Sequence, residues 1–252
     1  MLLDPLFYAA AIPAVTLMGL SKGGFAGIGL LSLPLMALVI SPIQAAAIML
    51  PILMVQDVVT VWAFRRDFSR RNLLILLPAS ALGILLAYLL AARVSDAAVA
   101  LVVGVISIAF AIRRLVVERR AEPPPPAGAG ILAGTFWGTL VGFTSMIAHA
   151  GGPPFQIYVM PQRLPRDVFI GTGAVLFAAV NWIKVPPYMA LGQFTPQNLA
   201  TSAALFPVAI ASTAAGVWLV RRVAAERFYT IVYVLLILVG GKLVWDGLSG
   251  LR

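Results

Sequence analysis

Long apolar runs recur from one end of the chain to the other, with little polar sequence between them. Of the 252 residues, 61% are hydrophobic and only 11% are charged. A run of about 20 apolar residues crosses the ~30 Å hydrocarbon core of a bilayer as a helix. The sequence therefore predicts an all-α polytopic membrane protein, and the polar sequence that remains is too short for a soluble catalytic domain.

Two sets of five apolar segments flank a proline-rich interval. The first set runs Leu6 to Leu20, Phe25 to Ile40, Ile43 to Phe64, Leu73 to Ala92 and Ala97 to Val117. The second set runs Ile131 to Ala148, Phe155 to Met160, Val168 to Tyr188, Leu199 to Val220 and Phe228 to Trp245. The interval contains four consecutive prolines and cannot stay helical. We predict a first membrane repeat at 1–117, a cytoplasmic linker at 118–130 and a second repeat at 131–252, packed as one transmembrane domain.

The two halves also match in sequence when one is shifted by 124 residues. This shift pairs Ser21 with Ser145, Asp57 with Asn181 and Thr60 with Lys184; further along, with a few residues inserted, Ala81-Leu82-Gly83 matches Ala214-Ala215-Gly216. Matched polar residues and helix breakers indicate an internal duplication. Because each half has an odd number of segments, the halves should be inverted in the membrane. Inverted repeats with paired broken helices are a known plan for transporters that work by alternating access.

Arginine placement predicts the orientation. Short cytoplasmic loops are enriched in Lys and Arg, and thirteen arginines lie in connections that can all face the cytoplasm: Arg65, Arg66, Arg70, Arg71, Arg113, Arg114, Arg119, Arg120, Arg163, Arg166, Arg221, Arg222 and Arg227. This threading puts both termini on the outer, non-cytoplasmic side of the membrane. The net charge of +9 then reflects membrane topology, and nucleic acid is not an expected partner.

The stretch from Gly19 to Pro34 interrupts the first apolar region. Ser21-Lys22-Gly23-Gly24 brings together a hydroxyl, a cation and two glycines that permit close backbone approach. Helix N-terminal amides carry partial positive charge, so a break here suits an anion. The alternative is that Lys22 reaches a lipid headgroup and the glycines only allow helices to pack closely.

A second break is predicted where the duplicate of this stretch falls. Gly151 and Gly152 precede two prolines, which end one helix and begin another. Thr144 and Ser145 supply hydroxyls, and His149 is the only histidine in the chain. The histidine could bind an anion when protonated or relay a coupling proton. Its structural alternative is a neutral ring bonded to a backbone carbonyl.

Polar side chains inside the apolar segments are further candidates. Gln56 and Asp57 lie in the third segment, and a carboxylate at that depth usually faces protein or water. Asp57 could pair with Lys22 or Lys184, carry the coupling proton, or sit near a solvated helix end. Its counterpart Asn181 and nearby Lys184 are candidate substrate ligands, with the outer rim as the alternative for Lys184.

Near the end of the last segment, Lys242 and Asp246 are spaced four residues apart, which predicts a rim ion pair. The chain has no cysteine, one histidine and no P-loop motif, so no metal site, nucleotide site or other cofactor is expected. Ion-coupled or passive transport remains, and the protein is not expected to be an enzyme.

The motif Gly-Leu-Ser-Lys-Gly-Gly-Phe-Ala-Gly-Ile-Gly, its weaker echo Gly-Phe-Thr-Ser…His-Ala-Gly-Gly-Pro-Pro and the tandem layout resemble the TauE/SafE family of membrane permeases. This resemblance covers nearly the whole chain. It implies secondary export of small sulfur-containing anions such as sulfite or sulfoacetate. The second motif departs from the commoner Gly-x-Gly-Gly form by carrying His149 and a double proline.

The resulting hypothesis is a proton-coupled anion exporter whose site lies between the two breaks. The candidate substrate ligands are Ser21, Lys22, Gly23, Gly24, Gln56, Thr144, Ser145, His149, Gly151, Gly152, Asn181 and Lys184, with Asp57 or His149 handling the proton. Alternatives from the residues are a non-transporting membrane scaffold and a transporter or channel for another small anion. Membrane lipids are expected neighbours, and homo-oligomerisation is left open.

Overall fold

Helices account for nearly all of the structure, a computed structural model that describes residues 5–25, 27–91, 95–117, 128–220, 222 and 226–251. Within these ranges there is no strand. The helices are α1 (Pro5–Gly23), α2 (Ser32–Ala37), α3 (Pro42–Phe64), α4 (Arg70–Ala91), α5 (Asp96–Val117), α6 (Ile131–Ala148), α7 (Gly152–Val159), α8 (Arg166–Ala190), α9 (Pro196–Leu219) and α10 (Glu226–Gly250). Six of the described helices are long and apolar enough to cross a membrane, which confirms the predicted all-α polytopic class.

Helix starts follow local sequence signals. Ser41 caps α3 by accepting a hydrogen bond from the Gln44 amide at 3.2 Å, and Pro42 follows it in the first turn. Thr195 caps α9 in the same way, accepting from the Asn198 amide at 3.1 Å. A capping side chain satisfies an amide that the helix itself cannot, and proline costs no hydrogen bond at that position.

Large apolar side chains cover the outside of the bundle. Leu132 is 88% exposed, Trp245 73% and Trp62 72%. An outer surface this apolar is what lipid contact requires, whereas soluble proteins rarely carry such patches.

Helix packing follows a two-fold pattern. Helix α1 of the first half packs on α9 of the second, and α6 of the second half packs on α4 of the first. The other pairs between the halves are α3 with α8 and α5 with α10. A Cβ added to Gly83 would lie 2.7 Å from the Phe143 nitrogen, and one added to Gly216 would lie 3.1 Å from the Gly19 oxygen. The 124-residue shift pairs Gly19 with Phe143. These close approaches therefore fall at corresponding places in the two halves, as duplication requires.

The two central helices, α3 and α8, run antiparallel. At one end the Ser69 amide, just beyond α3, donates to Thr172 near the start of α8 at 2.9 Å. At the other end Gln44, in the first turn of α3, donates to Asn198, just beyond α8, at 3.2 Å. An inverted arrangement of the halves needs this geometry. Which end faces the cytoplasm stays a prediction.

Several arginine-bearing connections meet at the Ser69 end. Arg166 donates to the Val220 carbonyl at 3.1 Å, and Asn72 donates to Gln162 at 2.9 Å. These bonds bring together the connections after α3, after α7 and after α9, as the charge argument expects. Most of the predicted linker, residues 118–127, lies outside the described residues, as does Arg221.

Candidate functional site

The first predicted break is present between α1 and α2. Helix α1 ends at Gly23, and Gly24 and Gly27 have φ values of 137° and 102°, which L side chains rarely adopt. A short 3₁₀ turn, Ile28–Leu31, then leads into α2, and both pack back against α1. At about 1.5 Å per residue this returning segment is too short to cross the hydrocarbon core. The second predicted segment therefore returns beside α1 without being long enough to span the membrane by itself.

The second break lies between α6 and α7. His149 ends α6 with φ 50° and ψ 25°, a left-handed conformation in which histidine is less strained than most residues. Helix α7 begins at Gly152 with proline in its first turn, as predicted, and extends only to Val159. The His149 ring consequently points away from its own helix axis and reaches α3 and α8.

A buried ion pair connects the first break to the centre of the molecule. The Lys22 ammonium donates to Oδ1 of Asp57, and the Asn181 amide donates to Oδ2 at 2.6 Å. The side chains of Lys22 and Asp57 are only 11% and 5% exposed. Asp57 thus pairs with Lys22, one of the two partners expected. The 124-residue shift predicted from the sequence makes Asp57 and Asn181 counterparts, and the two side chains meet where α3 and α8 pack together.

A second polar cluster connects the other break to α8. The Lys184 ammonium lies 2.8 Å from Nδ1 of His149 and 3.2 Å from both the carbonyl oxygen and the Oγ of Ser145. Nε2 of His149 lies 2.8 Å from the Ala46 carbonyl oxygen. Lys184 is fully buried, so it does not lie at the outer rim. The carbonyl contact expected of a structural histidine is present, and a lysine contact accompanies it.

A cavity of about 130 Å³ lies between the two breaks. A buried water needs only about 10–15 Å³ on the same measure, so this space admits a small anion with water. The lining residues are Met18, Ser21, Lys22, Gly24, Gly27, Gly29, Leu30, Leu53, Thr60, Ser145, His149, Gly152, Phe155, Gln156, Phe169, Ile170, Gly173, Ala174, Phe177 and Asn181. The polar members come from both breaks and from α3, α7 and α8. Three phenylalanines also line the cavity, and the Lys22 nitrogen lies 5.9 Å from the ring centre of one of them, Phe177.

Seven of the predicted substrate ligands line this cavity: Ser21, Lys22, Gly24, Ser145, His149, Gly152 and Asn181. Asp57 and Lys184 lie one layer behind, each bonded to residues that line it. The other four candidates contact the protein instead of the cavity. Gly23 packs on Gly216, and Gly151 packs against Phe177. Gln56 donates to the Val15 carbonyl, and Thr144 donates to the Leu140 carbonyl.

The structure adds residues to the candidate site that sequence reasoning missed. Thr60 lines the cavity, and its match with Lys184 under the 124-residue shift was an available sequence signal. Gln156 is 3% exposed, and its Oε1 has no hydrogen-bond partner in the structure. The sequence signal for Gln156 was its polar side chain in the first turns of the otherwise apolar helix α7. Phe155 and Phe177 gave none, because aromatic residues do not stand out in an apolar chain.

A family model described as "Sulfite exporter TauE/SafE" matches residues 11–243. The chain belongs to this family. No curated protein and no solved structure matches it significantly. Membership confirms the resemblance seen in the two glycine motifs, and it places the chain among anion transporters rather than enzymes. A multi-pass membrane protein with interrupted helices fits a TauE/SafE transporter.

Proposed function

We propose that the protein exports a small sulfur-containing anion, sulfite or an organosulfonate, across the bacterial inner membrane by alternating access with proton coupling. The observation that carries this proposal is the cavity between the two breaks, which is lined by Lys22, Ser21, Ser145 and Asn181. Cations, hydroxyls and amides are the groups that bind oxyanions in proteins. The family supplies the preference for sulfur-containing anions.

Charge balance supports an anion in particular. Lys22 and Asp57 offset each other, whereas Lys184, when it is protonated, forms no salt bridge with any carboxylate among the described residues. A buried charge without a partner is costly, because it has lost its hydration. An anion in the cavity would lower that cost, and it would also compete with Asp57 for the Lys22 ammonium.

The antiparallel halves support alternating access. The cavity is bounded by α1 and α7 from different halves, and α3 and α8 cross beside it. In inverted-repeat transporters one half rocks against the other around a fixed central site. A site shared by both breaks would then open to each side of the membrane in turn.

Ligand-dependent melting of the purified protein tests the proposal. A ligand present at about 100 times its dissociation constant stabilises by about 2.7 kcal/mol, which corresponds to a rise of roughly 5–11 °C in Tm for a chain of this size. We expect such a rise with sulfite, sulfoacetate or methanesulfonate, and a smaller one with acetate or phosphate. Lys22→Ala should abolish most of the rise measured from its own baseline, whereas Lys242→Ala should retain it.

Measurements of anion flux through the protein provide a second test of the proposed function. Proteoliposomes loaded with the stabilising anion should release it at a saturable rate, and Lys22→Ala should slow the release at least tenfold. If no anion in the panel either raises Tm or crosses the membrane, the protein is not a transporter of these solutes. A non-saturable flux would identify a channel instead.

A further inference from the structure

Lys184 and His149 form a buried pair whose hydrogen bonds restrict how many protons it can hold. The Ala46 carbonyl oxygen can only accept, so Nε2 of His149, at 2.8 Å, carries a hydrogen. Only one hydrogen fits between the Lys184 nitrogen and Nδ1 at 2.8 Å. If both groups were charged, two donors would face each other there. The pair therefore carries either one positive charge or none.

Both states fit the same positions of the heavy atoms. In the loaded state the lysine ammonium donates to Nδ1 and to the two oxygens of Ser145, each at 3.2 Å. In the unloaded state the amine donates to Nδ1 and to the Ser145 carbonyl, and the Ser145 hydroxyl rotates to donate to the lysine nitrogen. No contact is lost, so a proton can enter or leave without disturbing the packing.

The groups that surround the pair leave its charge unbalanced. From α3, Asp57 is already bonded to Lys22 of α1 and to Asn181. From α8, Tyr188 stacks on the His149 ring at 6.2 Å, and its hydroxyl donates to a carbonyl of α6 at 3.0 Å. Among the residues that the structure describes, the other charge that acts on the cluster is that of Lys22, which is also positive and repels the proton of the loaded pair.

An anion in the cavity would remove this imbalance. Ser145 and His149 both line the cavity and both contact Lys184. Opposite charges attract more strongly in a buried site than in water. Anion and proton should therefore bind with positive coupling, each favouring the other by the same factor.

We propose that the Lys184–His149 pair carries the coupling proton, so that one proton moves with each monovalent anion, while Asp57 stays ionised throughout the cycle. On one side of the membrane the neutral pair takes up a proton and the cavity takes up the anion. On the other side both leave, and the pair returns to its neutral state. This inference rests on the proposed transport function and specifies which of its residues carry the proton.

The test uses the full chain in proteoliposomes that contain a pH-sensitive dye, with equal pH on both sides and the membrane potential clamped. The anions are methanesulfonate and sulfoacetate, which stay ionised between about pH 6 and 8. An outward anion gradient should acidify the outer medium and alkalinise the lumen, with about one proton per methanesulfonate released.

Two variants remove the proposed carrier, and two serve for comparison. Lys184→Met and His149→Gln should lower the number of protons moved per anion at least tenfold. Asp57→Asn should keep the ratio near that of the wild type even where the anion flux falls. Lys242→Met makes the same chemical change at an exposed lysine of α10, and it should change neither the flux nor the ratio.

Binding calorimetry in buffers of different ionisation enthalpy provides a measurement on the wild type alone. As pH rises, the empty pair loses its proton before the anion-bound pair does, so proton uptake per bound methanesulfonate should rise to a maximum and then fall where neither form holds the proton. The inference is overturned if methanesulfonate binding takes up no proton at any pH tested. It is also overturned if Asp57→Asn loses the coupling of protons to anion flux while Lys184→Met keeps it. Anion flux without protons in the wild type also overturns it and leaves the transport function intact. If the wild type moves no anion at all, the transport function itself fails.

Discussion

The Lys22–Asp57 pair allows a direct test of how a buried charge is held. Both side chains are nearly inaccessible, at 11% and 5% exposure, and Asn181 supplies the second bond to the carboxylate. Removing one partner of such a pair leaves an uncompensated charge and costs about 3–5 kcal/mol. Lys242–Asp246 is the matched contrast, because its side chains are 55% and 43% exposed. Exposed pairs contribute about 0–1 kcal/mol.

We therefore expect Lys22→Met to lower the Tm of the detergent-solubilised protein by about 6–20 °C, taking roughly 2–4 °C for each kcal/mol in a chain of this size. Asp57→Asn should be destabilising for the same reason, since Lys22 then lacks its carboxylate. The double variant K22M/D57N should melt closer to the wild type than either single variant, because no charge is left unpaired. Lys242→Met should shift Tm by no more than a few degrees.

Melting can be followed by tryptophan fluorescence and checked by the loss of the monodisperse peak in gel filtration. The reasoning is refuted if Lys22→Met melts within about 2 °C of the wild type, the shift that about 0.5–1 kcal/mol would give. It is also refuted if the double variant loses as much stability as the sum of the single variants, because the charges would then be independent.

Three further predictions concern packing and the cavity. Gly23→Ala places a methyl group 2.4 Å from the backbone of α9 and should cost about 1–3 kcal/mol in a melting experiment, whereas Gly241→Ala, with nothing within 4 Å, should be neutral. Tyr188→Phe removes a buried 3.0 Å hydrogen bond to α6 and should cost about 0.5–1.5 kcal/mol by the same measurement. Ala174→Leu projects three more carbons from the cavity wall and should weaken methanesulfonate binding at least tenfold in calorimetry; unchanged affinity would place the anion elsewhere.

Much of the fold was predictable from the sequence. Each predicted apolar segment corresponds to a helix or a hairpin arm, because Gly and Pro interrupt an otherwise apolar chain at defined places. Both helix breaks lie where the sequence predicts them: α1 ends at Gly23, and α7 begins at Gly152. The rim ion pair between Lys242 and Asp246 is also confirmed. These features depend on residues close in sequence, where helix periodicity and breakers determine the outcome.

Features that depend on tertiary contacts were less predictable. Sequence could not decide whether a glycine faces a ligand or another helix, and the structure gives both answers in adjacent residues: Gly23 packs on α9, while Gly24 lines the cavity. From the sequence, Lys184 could lie either at the substrate site or at the outer rim, because a proline follows it closely. Only the packing of α8 against α6 places it in the interior. Spacing along one helix cannot give the distance to another.

The predicted duplication makes Asp57 and Asn181 counterparts, and their contact gives a physical reason for these two residues to differ. In a duplicated chain a residue at the two-fold axis meets its own copy, and these two side chains lie 2.6 Å apart. Two aspartates at that distance would repel each other, and two asparagines would leave Lys22 without a carboxylate. One carboxylate and one amide satisfy both conditions. Under the same 124-residue shift Lys184 corresponds to Thr60, so the predicted duplicate halves also differ in charge at this position.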